Sequence, residues 1–243
     1  FDELHDLAES SNVTIANILL AAWALVLRSY TNSSDVCYGY LTSGRNVPID
    51  NMESAVGAFI NMLVARIELK PATSLLEIVE KVQSDFVDSM PHQHCSLAQF
   101  QHDLGLSGKS LFNTAVSIQR RSNAEEPASD DSGIEFEQLD GHDPSEFAIT
   151  VNIDATRDDE GVRFTYWSDA VTDGEAKNVS ALMAKILVQA LSNAKQTIAE
   201  LGVVVKDKPA QPTAPRLNLP KPRPSILRSS SSISSGSTSP PRT

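Results

Sequence analysis

The side chains with the clearest chemical potential crowd into one short run, His92-Gln93-His94-Cys95, directly after Pro91. Two imidazoles two residues apart could ligate a metal ion, but no carboxylate-rich stretch stands nearby in sequence to complete a coordination sphere. Pro91 also points to a fixed loop. Cys95 with His92, His94 or His102 could form a thiol–imidazole nucleophilic pair, yet closeness in sequence establishes no geometry and no oxyanion loop is legible beside them. Ser43, in Thr42-Ser43-Gly44-Arg45, lacks the Gly-x-Ser-x-Gly frame of a hydrolase elbow. These residue types therefore assign no catalytic group and no metal ligand. His92 and His94 read as structural or substrate-lining side chains in a turn.

Asn61 raises a different question, because it interrupts the apolar run from Phe59 to Ala65. A buried amide without a partner costs about 1–3 kcal/mol, so it either bonds a loop backbone or faces a substrate channel. Arg66 ends the run as a solvated strand-end charge or as half of an ion pair. Asp143, Glu146 and Tyr166-Trp167-Ser168 read as structural.

The elements that must position these residues follow from apolar spacing. Phe1, Leu4, Leu7 and Ala8 recur with helical period, and Asn12 or Thr14 can cap a second helix reaching Arg28. That helix carries few polar residues and should be deeply buried. Val36 to Leu41 reads as a strand running into a loop at Ser43-Gly44-Arg45. Phe59 to Leu69 reads as a second strand, apolar enough to be covered on both faces. On such a strand the period of two places Gly57, Phe59 and Asn61 on one face and Ile60 and Met62 on the other, so that if the first face lines a channel the second turns toward the helical layer.

Ser74 caps a third helix that Pro91 stops, and Ser96 starts a short one from Leu97 to Leu104. Thr114 to Ile118 is a strand, and Arg121 to Gly133 a polar, acidic loop. Ile134 to Leu139 alternates like a half-exposed strand, and Phe147–Ile153 and Val162–Trp167 flank a hairpin signal at Asp158-Asp159-Glu160-Gly161. Asp173 is placed to cap a closing helix. The order predicts an α/β fold, a mixed sheet with helices packed on it.

Charge divides the chain unevenly. Residues 206–243 hold seven basic side chains against the single acid Asp207, so of the total −11 this tail contributes +6 and residues 1–205 contribute −17. An acidic globule lacks the basic face that nucleic acid requires, and it disfavours an anionic membrane surface. Eight of the 13 prolines lie beyond Val205, and nine serines fall between Ser225 and Ser239. Such a segment buries too little apolar area to offset chain entropy, so a disordered Pro/Ser-rich basic tail is expected over 206–243. Cys37 and Cys95 are too few for a disulfide framework and match no zinc spacing. Free thiols point to a reducing compartment. No apolar run approaches the ~20 residues of a membrane span, and the opening residues lack the form of a signal peptide. A cytoplasmic location is expected, and a chain that opens inside a helix reads as a fragment of something longer.

Taken together, Gly57-x-Phe59-x-Asn61-x-x-x-x-Arg66, the Pro91-His92-Gln93-His94-Cys95-Ser96-Leu97 element, Ser43-Gly44-Arg45 and Leu111-Phe112-Asn113-Thr114 resemble motifs of nonribosomal peptide synthetase condensation domains. The wording around His92 and Phe112 is most similar to fungal synthetases. The resemblance covers about residues 1–205, with Met62 where the family usually has Thr. It implies the C-terminal subdomain of a condensation domain, one half of a chloramphenicol-acetyltransferase-like fold. In that family the catalytic histidine belongs to an H-H-x-x-x-D-G motif, and this sequence contains no His-His pair.

The resemblance implies that, joined to the missing His-motif half, the chain helps form amide bonds between acyl or aminoacyl thioesters. These would be presented on the 4'-phosphopantetheine arms of carrier proteins, with no cofactor bound directly. Carrier-protein domains and the N-terminal subdomain are the implied partners, and secondary metabolism, siderophore synthesis included, the implied setting. Ser43, Arg45, Gly57, Phe59 and Asn61 would line the substrate channel, with His92, His94 and Asn113 structural or channel-lining. The alternative is a non-catalytic module that docks carrier proteins through its acidic surface.

Overall fold

The computed structural model describes residues 1–45, 49–119, 146–154, 161–202 and 227–230. Four of the described helices begin where short polar side chains can satisfy free backbone N–H groups. Helix α1 (Asp2–Ser10) leads into α2 (Ile15–Thr31), where the Thr14 hydroxyl accepts from the Asn17 N–H at 3.2 Å. Every residue of α2 from Asn17 to Val26 is buried, as its lack of a polar face requires. Helix α3 (Leu75–Ser89) opens on a capping box in which the Ser74 hydroxyl accepts from the Glu77 N–H and the Glu77 carboxylate accepts from the Ser74 N–H. Pro91 falls in a short 3-10 turn, Met90–His92, that ends this helix, and Ser96 caps α4 (Leu97–Asp103). The closing helix α5 (Asp173–Ser192) is capped by Thr172, one residue before the expected Asp173, with Glu175 completing the box.

Among the described residues six strands form one mixed sheet: β1 (Asp35–Thr42), β2 (Asn61–Glu68), β3 (Thr114–Gln119), β4 (Ile149–Asp154), β5 (Gly161–Trp167) and β6 (Leu227–Ser230). They stand in the order β2-β1-β3-β4-β5-β6. Two antiparallel pairs, β1–β2 and β4–β5, flank β3, which runs parallel to both its neighbours. The predicted hairpin is present as the β4–β5 ladder from Ile149↔Tyr166 to Asp154↔Gly161, although its turn lies outside the described residues.

Among the described residues, helices cover one face of the sheet. Val36, Tyr38 and Tyr40 of β1, Leu63 and Ile67 of β2, Val116 of β3, Val151 and Ile153 of β4 and Val162 and Phe164 of β5 share a core with α1, α2, α3 and α5. Polar groups in that core are tied inward. The Tyr38 hydroxyl donates to the Leu20 carbonyl at 2.7 Å, and the Trp23 indole N–H donates to the Thr114 hydroxyl at 3.3 Å. On the opposite face the absence of a side chain at Gly39 lets Phe112 close on the sheet. A Cβ there would fall 2.5 Å from the Phe112 ring and 2.8 Å from the Met62 sulfur.

The second strand differs from expectation in start and facing. It begins at Asn61, paired with Thr42, rather than at Phe59. The odd positions Leu63, Ala65 and Ile67 pack into the helical core, whereas Ile60 is 73% exposed. The face assignment is therefore reversed. Its cause is composition: a run apolar on nearly every residue carries no alternation from which facing can be read.

The expected loop at 121–133 and strand at 134–139 lie outside the described residues. So does the 206–243 tail, apart from β6, which pairs antiparallel with β5 from Phe164↔Ser230 to Trp167↔Leu227.

Candidate functional site

Three segments far apart in sequence meet at the Thr42–Asn61 end of the β1–β2 pair. The first is Ser43-Gly44-Arg45. Gly44 is buried with φ +63°, a conformation that costs an L-residue about 1–2 kcal/mol. A Cβ at Gly44 would lie 1.9 Å from the Phe59 carbonyl oxygen, so the backbone of one motif rests on the backbone of the next. Arg45 then reaches across the loop. Its Nη1 donates to the Met52 carbonyl at 2.7 Å and to the Ala55 carbonyl at 2.9 Å, and its guanidinium lies 4.6 Å from the centre of the Phe59 ring. A cation over an aromatic face is attractive through the ring quadrupole. The Ser43 hydroxyl is exposed and accepts from the Arg45 N–H at 3.4 Å.

The second segment is Gly57 to Asn61. Residues 55–60 pair with no strand, because their course follows the 43–45 loop, and the Phe59 ring packs against Gly57. Asn61 joins this segment to the third. Its side-chain NH2 donates to the Gln93 carbonyl and, at 3.4 Å, to the Cys95 carbonyl, while its Oδ1 accepts from the Met62 N–H at 2.9 Å. Of the two roles open to this amide, bonding to loop backbone is the one observed.

The third segment is the Pro91–Ser96 turn. Gln93 is 2% exposed, while His92 and His94 on either side are exposed. The Cys95 N–H donates to the His92 carbonyl at 2.9 Å, closing the turn. No hydrogen bond joins the Cys95 thiol to an imidazole among the described residues, and no cluster of three or more His, Cys, Asp or Glu is placed to hold a metal ion there.

Other expected site residues lie elsewhere. Asn113 is exposed just before β3, its carbonyl accepting from the Ala148 N–H at 2.8 Å. The register that sets Ala115 beside Gly39 leaves it several residues from the cluster. Arg66 pairs with Asp35 at 2.7 Å, an exposed ion pair that holds the Asp35 carboxyl below and the guanidinium above their ordinary ranges, chiefly through the side-chain hydrogen bond. A cavity of about 520 Å³ between β2 and α3 is lined by Tyr40, Val64, Lys81 and Phe86 among others. Burial pushes the Tyr40 phenol up against the opposing effect of its hydrogen bond with Ser89, 3.0 Å away.

Sequence reasoning did not single out Gln93, or the Met52 and Ala55 carbonyls that Arg45 holds. A lone amide between two histidines was the available signal for Gln93. The carbonyls carry no residue-type signal at all.

The geometry can hold irregular backbone rigidly, and the family match says whose backbone this is. The condensation-domain family model matches residues 1–211. The chain belongs to the condensation-domain family. It is 42% identical over 203 residues to nonribosomal peptide synthetase 4 of Gibberella zeae and 41% identical over 203 residues to nonribosomal peptide synthetase 1 of Aspergillus fumigatus. Both matches cover 84% of this chain and only 3% of the relative, so the condensation-domain chain spans a small part of the length of either synthetase.

Solved condensation domains share the fold. The condensation domain of the monacolin K polyketide synthase MokA matches with TM-score 0.67 and 16% identity over 81% of this chain and 46% of that one. The first condensation domain of the CDA synthetase matches with TM-score 0.61 and 17% identity over 82% and 44%. The α/β mixed sheet is thus the chloramphenicol-acetyltransferase-like fold expected.

Proposed function

We propose that this chain is the C-terminal half of a condensation domain and supplies one wall of the tunnel in which an amine attacks a carrier-bound thioester. The half-domain reading is supported by the solved condensation domains, of which the chain aligns with 44–46%. The observation that carries the functional reading is the junction of the three motifs at the Thr42–Asn61 end. Conserving backbone shape there calls for Gly44, Arg45, Phe59 and Asn61 together, and none of the four is an acid–base group for this chemistry.

In this reading Arg45 and Asn61 act by fixing the loops that Ser43, Gly57, Phe59, His92 and His94 present to the channel. General-base assistance to the attacking amine needs a titratable group within hydrogen-bond reach, and the H-H-x-x-x-D-G segment of the other half supplies it. Asn113 would contact substrate only farther along the sheet. The acyl and aminoacyl groups arrive on the phosphopantetheine arms of carrier proteins, and the reaction belongs to secondary metabolism in the cytoplasm. Among the described residues no single helix is long and apolar enough to cross a membrane.

The test is amide formation between two loaded carrier proteins. The chain preceded in one polypeptide by a segment carrying H-H-x-x-x-D-G should form product, and the 243-residue chain alone should form none. Turnover by the chain alone, or none by the joined protein when it is folded, overturns the reading.

A further inference from the structure

The two edges of the sheet differ. Among the described strands β6 lies along β5, and no strand lies along β2 at the other end of the order. The bonding pattern of β1 and β2 shows which groups this leaves unpaired. The Leu69 N–H donates to the Ser34 carbonyl at 2.6 Å, which continues the ladder by one bonded pair. Bonded pairs alternate along an antiparallel ladder, so Val36↔Ile67, Tyr38↔Ala65 and Tyr40↔Leu63 exchange hydrogen bonds. Met62, Val64, Arg66 and Glu68 therefore turn their N–H and C=O groups outward. Asn61 Oδ1 takes the Met62 N–H. No backbone group among the described residues pairs with Val64, Arg66 or Glu68 on the outer side. Beside this edge stands α3, with the cavity of about 520 Å³ between them.

An unpaired edge is a template for a further strand, and its side chains decide which one fits. Arg66 and Glu68 are both exposed and, two residues apart, share one face. On α3, Lys81 and Asp85 form an ion pair with side chains 66% and 42% exposed, on the rim of the same cavity. Each layer thus carries one base and one acid at the edge, a surface complementary to itself under a two-fold axis. We propose that β2 pairs antiparallel with β2 of a second copy of this chain, extending the sheet across a dyad at Ile67. Charge selects the register. A dyad at Arg66 would set two guanidinium groups opposite each other. A dyad at Ile67 instead sets each Arg66 opposite Glu68 of the second copy, twice over, and Val64 opposite Lys70. Asp35 engages the Arg66 Nε and Nη2, and Nη1 has no partner among the described residues. The same dyad sets the two α3 helices antiparallel across the edge and brings the Lys81–Asp85 rim of each toward the other. The interface is isologous and closes at two copies, so it leaves no edge from which a ladder could grow on that side. It is independent of the condensation reading.

The experiment is sedimentation equilibrium of the full 243-residue chain over a concentration series, with amide hydrogen exchange on the same samples. A monomer–dimer equilibrium is expected, with exchange at Val64, Arg66 and Glu68 slowing as the dimer fills. Glu68→Arg sets like charges opposite each other twice and should weaken dimerisation about tenfold or more, and Arg66→Glu should do the same. Mixed together, the two variants place opposite charges at both positions and should pair with each other to within about threefold of the parent. A chain that stays monomeric throughout, a dimer indifferent to both substitutions, or assemblies that grow beyond two copies overturn the proposal. Slow exchange at these amides in a protein that stays monomeric assigns the edge to a segment of the chain itself and also overturns it. Both substituted side chains are exposed. If one variant fails to fold, the other and the exchange of the parent decide.

Discussion

The helical core and the loop junction beyond Thr42 both keep polar groups satisfied, by opposite means. In the core, regular elements satisfy their own backbone, and side chains such as Tyr38 and Trp23 add isolated ties between already rigid pieces. At the junction no ladder exists from residue 55 to residue 60, and the side chains of Arg45 and Asn61 stand in for it by donating to carbonyls of other loops. The lesson is that loss of a core side chain should cost global stability, whereas loss of a junction side chain should free one loop and leave the rest intact.

The largest effect expected is from Trp23→Ala, which empties a fully buried site. A loss of about 3–5 kcal/mol in denaturant unfolding is expected. A smaller loss would mean that α2 collapses into the space. Gly44→Ala comes next, because the new Cβ meets the Phe59 carbonyl at a left-handed φ. It should cost about 2–3 kcal/mol. If a junction change outweighed the core change, the contrast between the regions would fail.

Asn61→Ala should lower stability by about 1–2 kcal/mol through the hydrogen bonds to the Gln93 and Cys95 carbonyls that it removes. Hydrogen exchange should quicken in residues 92–96 but not in α2. Uniform acceleration would show that the junction is part of the global core.

The capping box of α5 sharpens the comparison from the helical side. Hydrogen bonds from the Thr172 backbone and hydroxyl hold the Glu175 carboxyl below its ordinary 4.5. A depressed pKa contributes stability above the unfolded value, and that contribution is lost as pH falls through the folded one. Acidification below 4.5 should therefore destabilise the parent more than Glu175→Gln, by no more than about 1 kcal/mol for so exposed a group. Parallel pH curves for the two proteins would remove Glu175 from the account. The smallest effect belongs to Ile60→Ala, within about 0.5 kcal/mol, since that side chain is exposed.

What could be read beforehand was what local chemistry dictates. Thr14, Ser74 and Ser96 announce helix starts because a short oxygen-bearing side chain must sit before the first turn. Thr172 won over Asp173 because its hydroxyl reaches the N3 amide of Glu175. The motifs of the junction were legible as residues, but not their meeting. That Gly44 supports the Phe59 carbonyl is a contact between backbones, which leaves a trace in sequence only as a glycine. The facing of β2 was hidden by its uniform apolarity, and β6 by a segment with no period at all.

The place of β3 has a consequence for how this chain reaches its native state. The β1–β2 and β4–β5 pairs each join neighbours in sequence, and among the described strands β3, parallel to β1 and to β4, links them in the sheet. Neither parallel pairing can form through a short turn: Gly39 must find Ala115 and Thr114 must find Ile149 across long intervening stretches. Closing such loops is slow relative to hairpin formation. Folding should thus proceed as two locally formed ribbons that wait for one strand, with β3 as the rate-determining joint. Substitutions in Thr114–Gln119 would then slow refolding, while those in the outer hairpins would chiefly hasten unfolding.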